Sequence, residues 1–290
     1  MSANRIRLTT LGTGTPRPEP RRHSACNLLS IGDEQLLFDC GRGTVLQLAR
    51  TGFDWSRLQR LFITHHHFDH IGELADLMIT SWINGRKHPL RIFGPWATEA
   101  ITNVLLQDIY RRDLMFREEE FRQLGRPEMA HFAVPVAKDV DEGLVEQGDG
   151  WRVLAWRVEH GHRQFGALFR KQWICLGYRI EIGDKVVAIS GDTIPCEGLE
   201  QLARDADLLL QCCWLPAREL TDDYVRGVAS HTLACSDVVG KIASRARVKR
   251  LILTHTRAVT QDAINAIVED VSKDFDGPLC VAEDLQEFEI

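Results

Sequence analysis

Six consecutive positions concentrate most of the chain's potential chemistry: His65-His66-His67-Phe68-Asp69-His70. On an extended segment, side chains two residues apart point the same way, so His65 and His67 project together while His66 faces the opposite side. Two imidazoles so placed can share one cation. Asp69 and His70 follow where the chain is expected to enter a helix, and a carboxylate oxygen beside an imidazole there suits a second cation. A run of surface histidines is the plain alternative, but potential ligands this dense directly after an apolar stretch favour a metal site. Two adjacent divalent cations would bring the pKa of a shared water towards neutrality, making a hydroxide nucleophile, and would polarise the bond under attack. Hydrolysis is the expected reaction, with Asp69 both binding metal and holding the hydroxide in line.

The elements that must position these groups alternate along the chain. Residues 5–11, 25–31 and 35–38 read as strands of an antiparallel sheet, 44–50 as a helix, and 58–63 as a buried strand leading straight into the histidine run. Helical spacing resumes over 71–82 and stops near Asn84-Gly85. A short strand at 90–93 and a helix at 98–110 follow, and the charged stretch 111–128 reads as a surface connection with partial helix. Strands are then expected at 153–158, 177–182, 185–190 and 206–210, with a helix at 197–204. Helices at 233–246 and 261–273 alternate with strands at 250–254 and 279–281. This pattern predicts an α/β chain folded as a four-layer αββα sandwich, and without a Pro/Gly/Ser linker it is read as one domain over 1–290.

Composition sets outer bounds. The chain has 290 residues, 44% hydrophobic and 26% charged, enough to bury a core without disulfides. No segment reaches the apolar length that spans a bilayer, so no membrane partner is expected. Met1-Ser2-Ala3-Asn4-Arg5 lacks the apolar stretch of a secretory signal, and the eight cysteines form no CxxC pair. Both features predict a reducing, cytoplasmic setting. A net charge of −6 opposes non-specific binding to a polyanion, which disfavours nucleic acid as a partner.

Beyond the histidine run, Leu11-Gly12-Thr13-Gly14, Phe38-Asp39-Cys40-Gly41, Phe93-Gly94-Pro95, Val158-Glu159-His160-Gly161, Gly177-Tyr178-Arg179-Ile180, Gly191-Asp192-Thr193 and Leu253-Thr254-His255 occur in that order. Together they resemble the metallo-β-lactamase-fold hydrolases, and within them the ribonuclease Z and arylsulfatase-like branch. The resemblance covers almost the whole chain. It implies a first metal held by His65, His67 and His160, a second held by Asp69, His70 and His255, and Asp192 bridging the two. Zinc is the implied metal, and manganese or iron also suits these donors. A homodimer is implied as well. His160 and His255 end predicted strands and Asp192 follows Gly191 at another strand end, where such sites form. His162 competes with His160, because period two on a continuing strand would point both the same way. His23, His88 and His131 match no partner pattern and read as surface or packing residues. Asp39 is expected to orient a ligating histidine, with turn capping as its simpler role. His231 resembles a histidine of the ribonuclease Z branch that assists the transition state by proton donation or oxyanion binding. A structural residue near a helix start is its plain reading.

Three departures from the ribonuclease pattern shift the expected substrate. Cys212, in Gln211-Cys212-Cys213-Trp214, stands where a glutamate would partner His231, and a thiol is a poor replacement for a carboxylate. Only residues 180–189 separate Arg179 from Ser190, which leaves no room for an RNA-binding arm. Phe68 replaces a small glycine before Asp69. The reading that follows is a small-molecule hydrolase acting on a carboxylic ester, lactone, sulfate ester or phosphodiester, with Phe68, Trp82 and Trp214 lining an apolar pocket. A ribonuclease Z-like RNA 3′-processing endonuclease is the alternative. A non-catalytic metal-containing ligand-binding module and an iron-based redox enzyme follow behind.

Overall fold

The computed structural model describes residues 5–290; Met1 to Asn4, from which the absence of a secretory signal was partly read, lie outside the described residues. The strands are β1 (Ile6–Gly12), β2 (Cys26–Ile31), β3 (Glu34–Phe38), β4 (Arg60–Phe62), β5 (Arg91–Gly94), β6 (Val136–Asp139), β7 (Gly143–Gly148), β8 (Trp151–Val158), β9 (Cys175–Ile182), β10 (Lys185–Ile189), β11 (Leu208–Cys212), β12 (Leu251–Thr254), β13 (Leu279–Val281) and β14 (Gln286–Glu289). The helices are α1 (Thr44–Arg50), α2 (Phe68–Ile71), α3 (Leu74–Ile83), α4 (Thr98–Val104), α5 (Arg111–Gln123), α6 (Ala167–Gln172), α7 (Glu197–Ala203), α8 (Asp223–His231), α9 (Ser236–Arg245) and α10 (Gln261–Val271).

Two seven-stranded sheets result, ordered β14-β1-β2-β3-β4-β5-β6 and β13-β12-β11-β10-β9-β8-β7. Each joins an antiparallel half to a parallel half: β1–β2–β3 are antiparallel and β3–β4–β5–β6 parallel, while β7–β8–β9–β10 are antiparallel and β10–β11–β12–β13 parallel. Three apolar layers separate the elements. Leu8, Leu36, Phe62, Tyr178, Ile180 and Leu210 pack between the sheets. Leu48, Leu61, Leu77 and Trp82 fill the space under α1 and α3, and Leu209, Val239, Ile242 and Ile267 fill that under α9 and α10. Helix, sheet, sheet and helix are therefore the four layers predicted, each sheet buried on both faces.

The helices obey simple rules. On α10, Ala263, Ile267 and Val271 are buried at spacing four, and the Thr260 hydroxyl accepts from the Ala263 N–H to cap the first turn. Several expectations need correction. Residues 71–82 are not continuous, since the chain breaks between α2 and α3 at Gly72-Glu73. The connection expected at 111–128 is mostly the thirteen-residue helix α5, following a π turn at Leu105–Ile109. Strands β6, β7 and β14 and helices α6 and α8 were not anticipated.

Candidate metal centre

The centre forms where strands of both sheets end. Strand β4 stops at Phe62, and the histidine run that follows is an unpaired extended loop, His67 serving as the residue before α2 at φ −63°, ψ 146°. Alternation survives outside the sheet. His65 Nε2 lies 3.0 Å from His67 Nδ1, while His66 turns away and pairs through Nε2 with Thr98 Oγ1 at 2.8 Å. The loop is tied to the second sheet by a Leu176 N–H that donates to the Thr64 carbonyl at 2.8 Å, and by the Tyr178 hydroxyl donating to the Ile63 carbonyl at 2.7 Å. These bonds bring the histidine run against the ends of β8, β10 and β12.

His160 follows β8, Asp192 follows β10 and His255 follows β12. Each turn uses a left-handed residue: Gly161 at φ 82°, Gly191 at φ 60°, and His255 itself at φ 52°. A non-glycine residue there is uncommon and costs backbone energy, so the fold holds the His255 imidazole in place at some expense. Gly191 is doubly constrained, since a Cβ would sit 2.9 Å from the Leu176 carbonyl oxygen and 3.0 Å from the Thr64 Cβ.

Two groups of donors converge, each with ligand atoms within 4.8 Å of one another: His65, His67, His160 and Asp192, and separately Asp69, His70 and His255. His160 Nε2 is 3.1 Å from His67 Nδ1. Nitrogens 2.0–2.1 Å from a tetrahedral cation would stand about 3.3 Å apart, so this spacing fits one shared ion. Asp192 faces both groups. Its Oδ2 lies 4.0 Å from His65 Nε2, 3.8 Å from His160 Nε2 and 3.5 Å from His70 Nε2, and its Oδ1 lies 3.4 Å from His255 Nδ1. Asp69 Oδ1, His70 Nε2 and His255 Nδ1 are buried and find no hydrogen-bond partner among the described residues. Buried polar atoms left unpaired are costly, and their convergence is what a cation would satisfy.

Supporting groups fix the rings. Asp39, itself at φ 59°, sets Oδ2 2.8 Å from His70 Nδ1 and accepts the Thr64 N–H through Oδ1 at 2.8 Å. The His160 Nδ1–H donates to the Thr232 carbonyl at 2.7 Å. In both rings the remaining Nε2 is left free to face the centre. Burial first, then neighbouring histidines, pushes the His65 imidazole well below its ordinary value, and burial lowers His67 and takes His160 to about 4. All three are thus neutral donors at neutral pH. Burial also works against charge on His70, but Asp39 and Asp192 outweigh it and hold its value well up. Burial likewise opposes ionisation of Asp192, yet His255 and His70 keep the carboxylate well below the usual range.

His162 does not join the cluster. Gly161 turns the chain, so the assumed period of two fails; the His162 Nδ1 accepts the His160 N–H at 2.9 Å and its Nε2–H donates to the Trp173 carbonyl at 2.6 Å. His231 lies outside both donor groups, at the end of α8 rather than at a helix start. Its carbonyl accepts the Gly161 N–H at 2.7 Å, which seats it beside His160, and its Nδ1 is buried without a partner among the described residues. Cys212 is a buried neutral thiol, pushed up to about 12 by burial, that donates to the Thr193 carbonyl at 3.2 Å. Trp82 and Trp214 belong to the core rather than to a pocket, and Phe68 is 60% exposed. The aromatic wall is instead Trp173, unanticipated, whose ring centroid lies 4.8 Å from that of His67. Behind it opens a cavity of about 660 Å³ lined by Trp156, His162, Arg170, Trp173 and Gln201 among others.

Residues 20–170 match the profile of the metallo-beta-lactamase superfamily. The chain belongs to that superfamily. Ribonuclease Z of Mycolicibacterium paratuberculosis is 32% identical over 262 residues, covering 86% of this chain and 85% of the relative. Ribonuclease Z of Methanosarcina acetivorans is 29% identical over 98% of each chain. Among solved structures, the metallo-beta-lactamase fold protein YhfI from Bacillus subtilis superposes with a TM-score of 0.73 at 20% identity over 99% of this chain and 100% of that one. Human tRNase Z, short form, gives 0.65 at 24% identity over 97% and 98%. These structural likenesses bear on the fold alone. As a member of the superfamily with ribonuclease Z homologues, the protein is a metal-dependent hydrolase, and its clustered histidines and aspartates fit a divalent-metal site. No described helix is long and apolar enough to cross a membrane.

Proposed function

We propose that this superfamily member is a dinuclear phosphodiester hydrolase with RNA as its first substrate class. The observation that carries the dinuclear centre is Asp192, a buried carboxylate facing both donor groups at 3.4–4.0 Å. Relatives a third identical over most of the chain bear the name Ribonuclease Z, which supports the RNA alternative over the small-molecule ester reading and removes the ground for treating nucleic acid as an unsuitable partner. In this reading His65, His67 and His160 hold one cation, Asp69, His70 and His255 the other, and Asp192 both. Two ions, zinc first among them, would supply a nucleophile from water at neutral pH and stabilise the charge that develops on the phosphate. Asp69 would take up a proton from that water, its Oδ1 having no hydrogen-bond partner among the described residues. Asp39 and the Thr232 carbonyl keep the His70 and His160 rings in one tautomer. To His231 falls the proton given to the departing oxygen; its Nδ1 is buried and has no partner among the described residues. Eight free cysteines suit a cytoplasmic setting.

A small-molecule ester remains the second reading, favoured by two observations. The neutral Cys212 thiol cannot supply a carboxylate partner to His231, and β9 turns into β10 through Gly183-Asp184 with no arm between them. A substrate panel separates the two. Metal-loaded protein is given a precursor transfer RNA with a 3′ trailer, bis(p-nitrophenyl) phosphate, p-nitrophenyl acetate, a lactone and a sulfate ester. Cleavage of the RNA, weakening steeply with salt, is the expected result; turnover of the acetate or lactone alone would replace phosphodiester hydrolysis by the second reading.

A further inference from the structure

Between His160 and β9 the chain leaves the sheet as a short arm, residues 161–174, whose helix α6 has no buried residue. Its aromatic side chains are Phe165, just before the helix, Phe169 within it, and Trp173, the extended residue that ends it. Their rings form a continuous ladder. Phe165 and Phe169 meet edge to face, with centroids 4.6 Å apart at 64°; Phe169 and Trp173 lie 6.1 Å apart at 31°, and Trp173 and His67 4.8 Å at 42°. The outer end is anchored, since Phe165 lies against Gly161, where a Cβ would come within 2.6 Å of its ring. Phe165 and Phe169 are nevertheless 39% and 46% exposed. Arg170 and Lys171 stand on the same helix and enter no ion pair among the described residues, whereas Arg163 is engaged by Glu159. In a chain of net charge −6, exposed aromatics and unpaired cations leading to a metal centre match a ligand with flat rings and negative charge. Arg170 and Trp173 also border the cavity of about 660 Å³, which lies away from the donor groups and carries Glu142, Glu159 and Glu197 in its lining, so the ligand is placed on the exposed ring edges rather than inside it.

We infer that the Phe165–Phe169–Trp173 ladder is a base-stacking platform that holds an unpaired nucleotide of the substrate next to the metal centre, with Arg170 and Lys171 drawing in its phosphates. This deepens the phosphodiesterase reading and rests on it for the reaction, though not for binding. The platform takes RNA, the substrate class of that reading, in single-stranded form, because bases inside a duplex cannot offer their faces.

Binding is measured separately from turnover. Metal-loaded protein is titrated with decauridylate and with an abasic ribose-phosphate chain of equal length, following fluorescence quenching, with Trp173→Phe to identify the signal. Turnover is measured on thymidine 5′-(p-nitrophenyl phosphate), which carries a base, and on ethyl p-nitrophenyl phosphate, which does not. The ladder predicts quenching by decauridylate only. It also predicts that Phe165→Ala/Phe169→Ala raises KM for the base-bearing diester about tenfold while leaving kcat and the ethyl ester unchanged. Absence of quenching, or a double variant that binds decauridylate like the parent, overturns the platform whatever the turnover. Quenching without hydrolysis of either diester leaves the platform standing and overturns the reaction.

Discussion

Asp192 places carboxylate oxygens within 4.0 Å of nitrogens in both donor groups, and its loss has to be felt by both. Asp192→Ala is expected to abolish hydrolysis and lower bound metal, as is His67→Ala, while circular dichroism keeps its folded signature; elemental analysis of the purified variants checks this. Asp39 acts one step back, on the His70 ring, so Asp39→Ala should cost about 10–100-fold in metal affinity, read by competition with a chelator. His231 touches neither group, and His231→Ala should lower kcat about 10²-fold with metal content unchanged. The seven residues that the fold brings together were all singled out in the sequence: four are local to residues 65–70, and the other three stand at predicted strand ends. His162 stayed open as a competitor to the favoured His160 because a left-handed Gly161 breaks the period, which spacing does not reveal. Trp173 was missed because it approaches His67 only through the fold of the arm.

Elements were legible where burial imposes a strong pattern. Strand β2, buried throughout, and helix α1, which buries Thr44, Gln47 and Leu48, fall where expected. Strand β7, Gly143–Gly148, with buried residues only at its middle, and the edge strand β14, Gln286–Glu289, carry too little apolar sequence to declare themselves. Helix α5 buries only Leu114, so its periodicity was weak. Helix α10 contributes stability rather than chemistry. Ile267→Ala on α10, a fully buried side chain, should cost about 2–5 kcal/mol in denaturant unfolding and leave metal binding and kcat as they are. Loss of metal from this variant would mean that the helix layer and the site are more tightly coupled than the packing indicates.

Across the molecule, the two sheets close on each other at the centre, so metal, protons and folding are linked. His160 is held at about 4 in the folded chain, below its ordinary 6.5. The unfolded chain therefore takes up that proton first as pH falls: the contribution is complete above pH 6.5 and is lost by about pH 4, on the order of 3 kcal/mol. His70 runs the other way, stabilising metal-stripped protein below 6.5 and losing that contribution as pH rises through its elevated value. Chelator-treated protein should accordingly melt at progressively lower temperature between pH 6.5 and 4, and added metal should raise the melting temperature at pH 7. The sandwich itself was readable from the order of strands and helices. The closure of its sheets through Thr64, Leu176 and Tyr178 was not, because those bonds join residues far apart in sequence.

The most direct test is a metal titration of chelator-stripped protein, following phosphodiester hydrolysis and bound metal together. Activity that rises from nothing and saturates at about two divalent ions per chain, and fails to appear in Asp192→Ala, is the predicted result. Full turnover by protein carrying no metal, or saturation at a single ion with Asp192→Ala as active as the parent, would contradict a shared dinuclear centre.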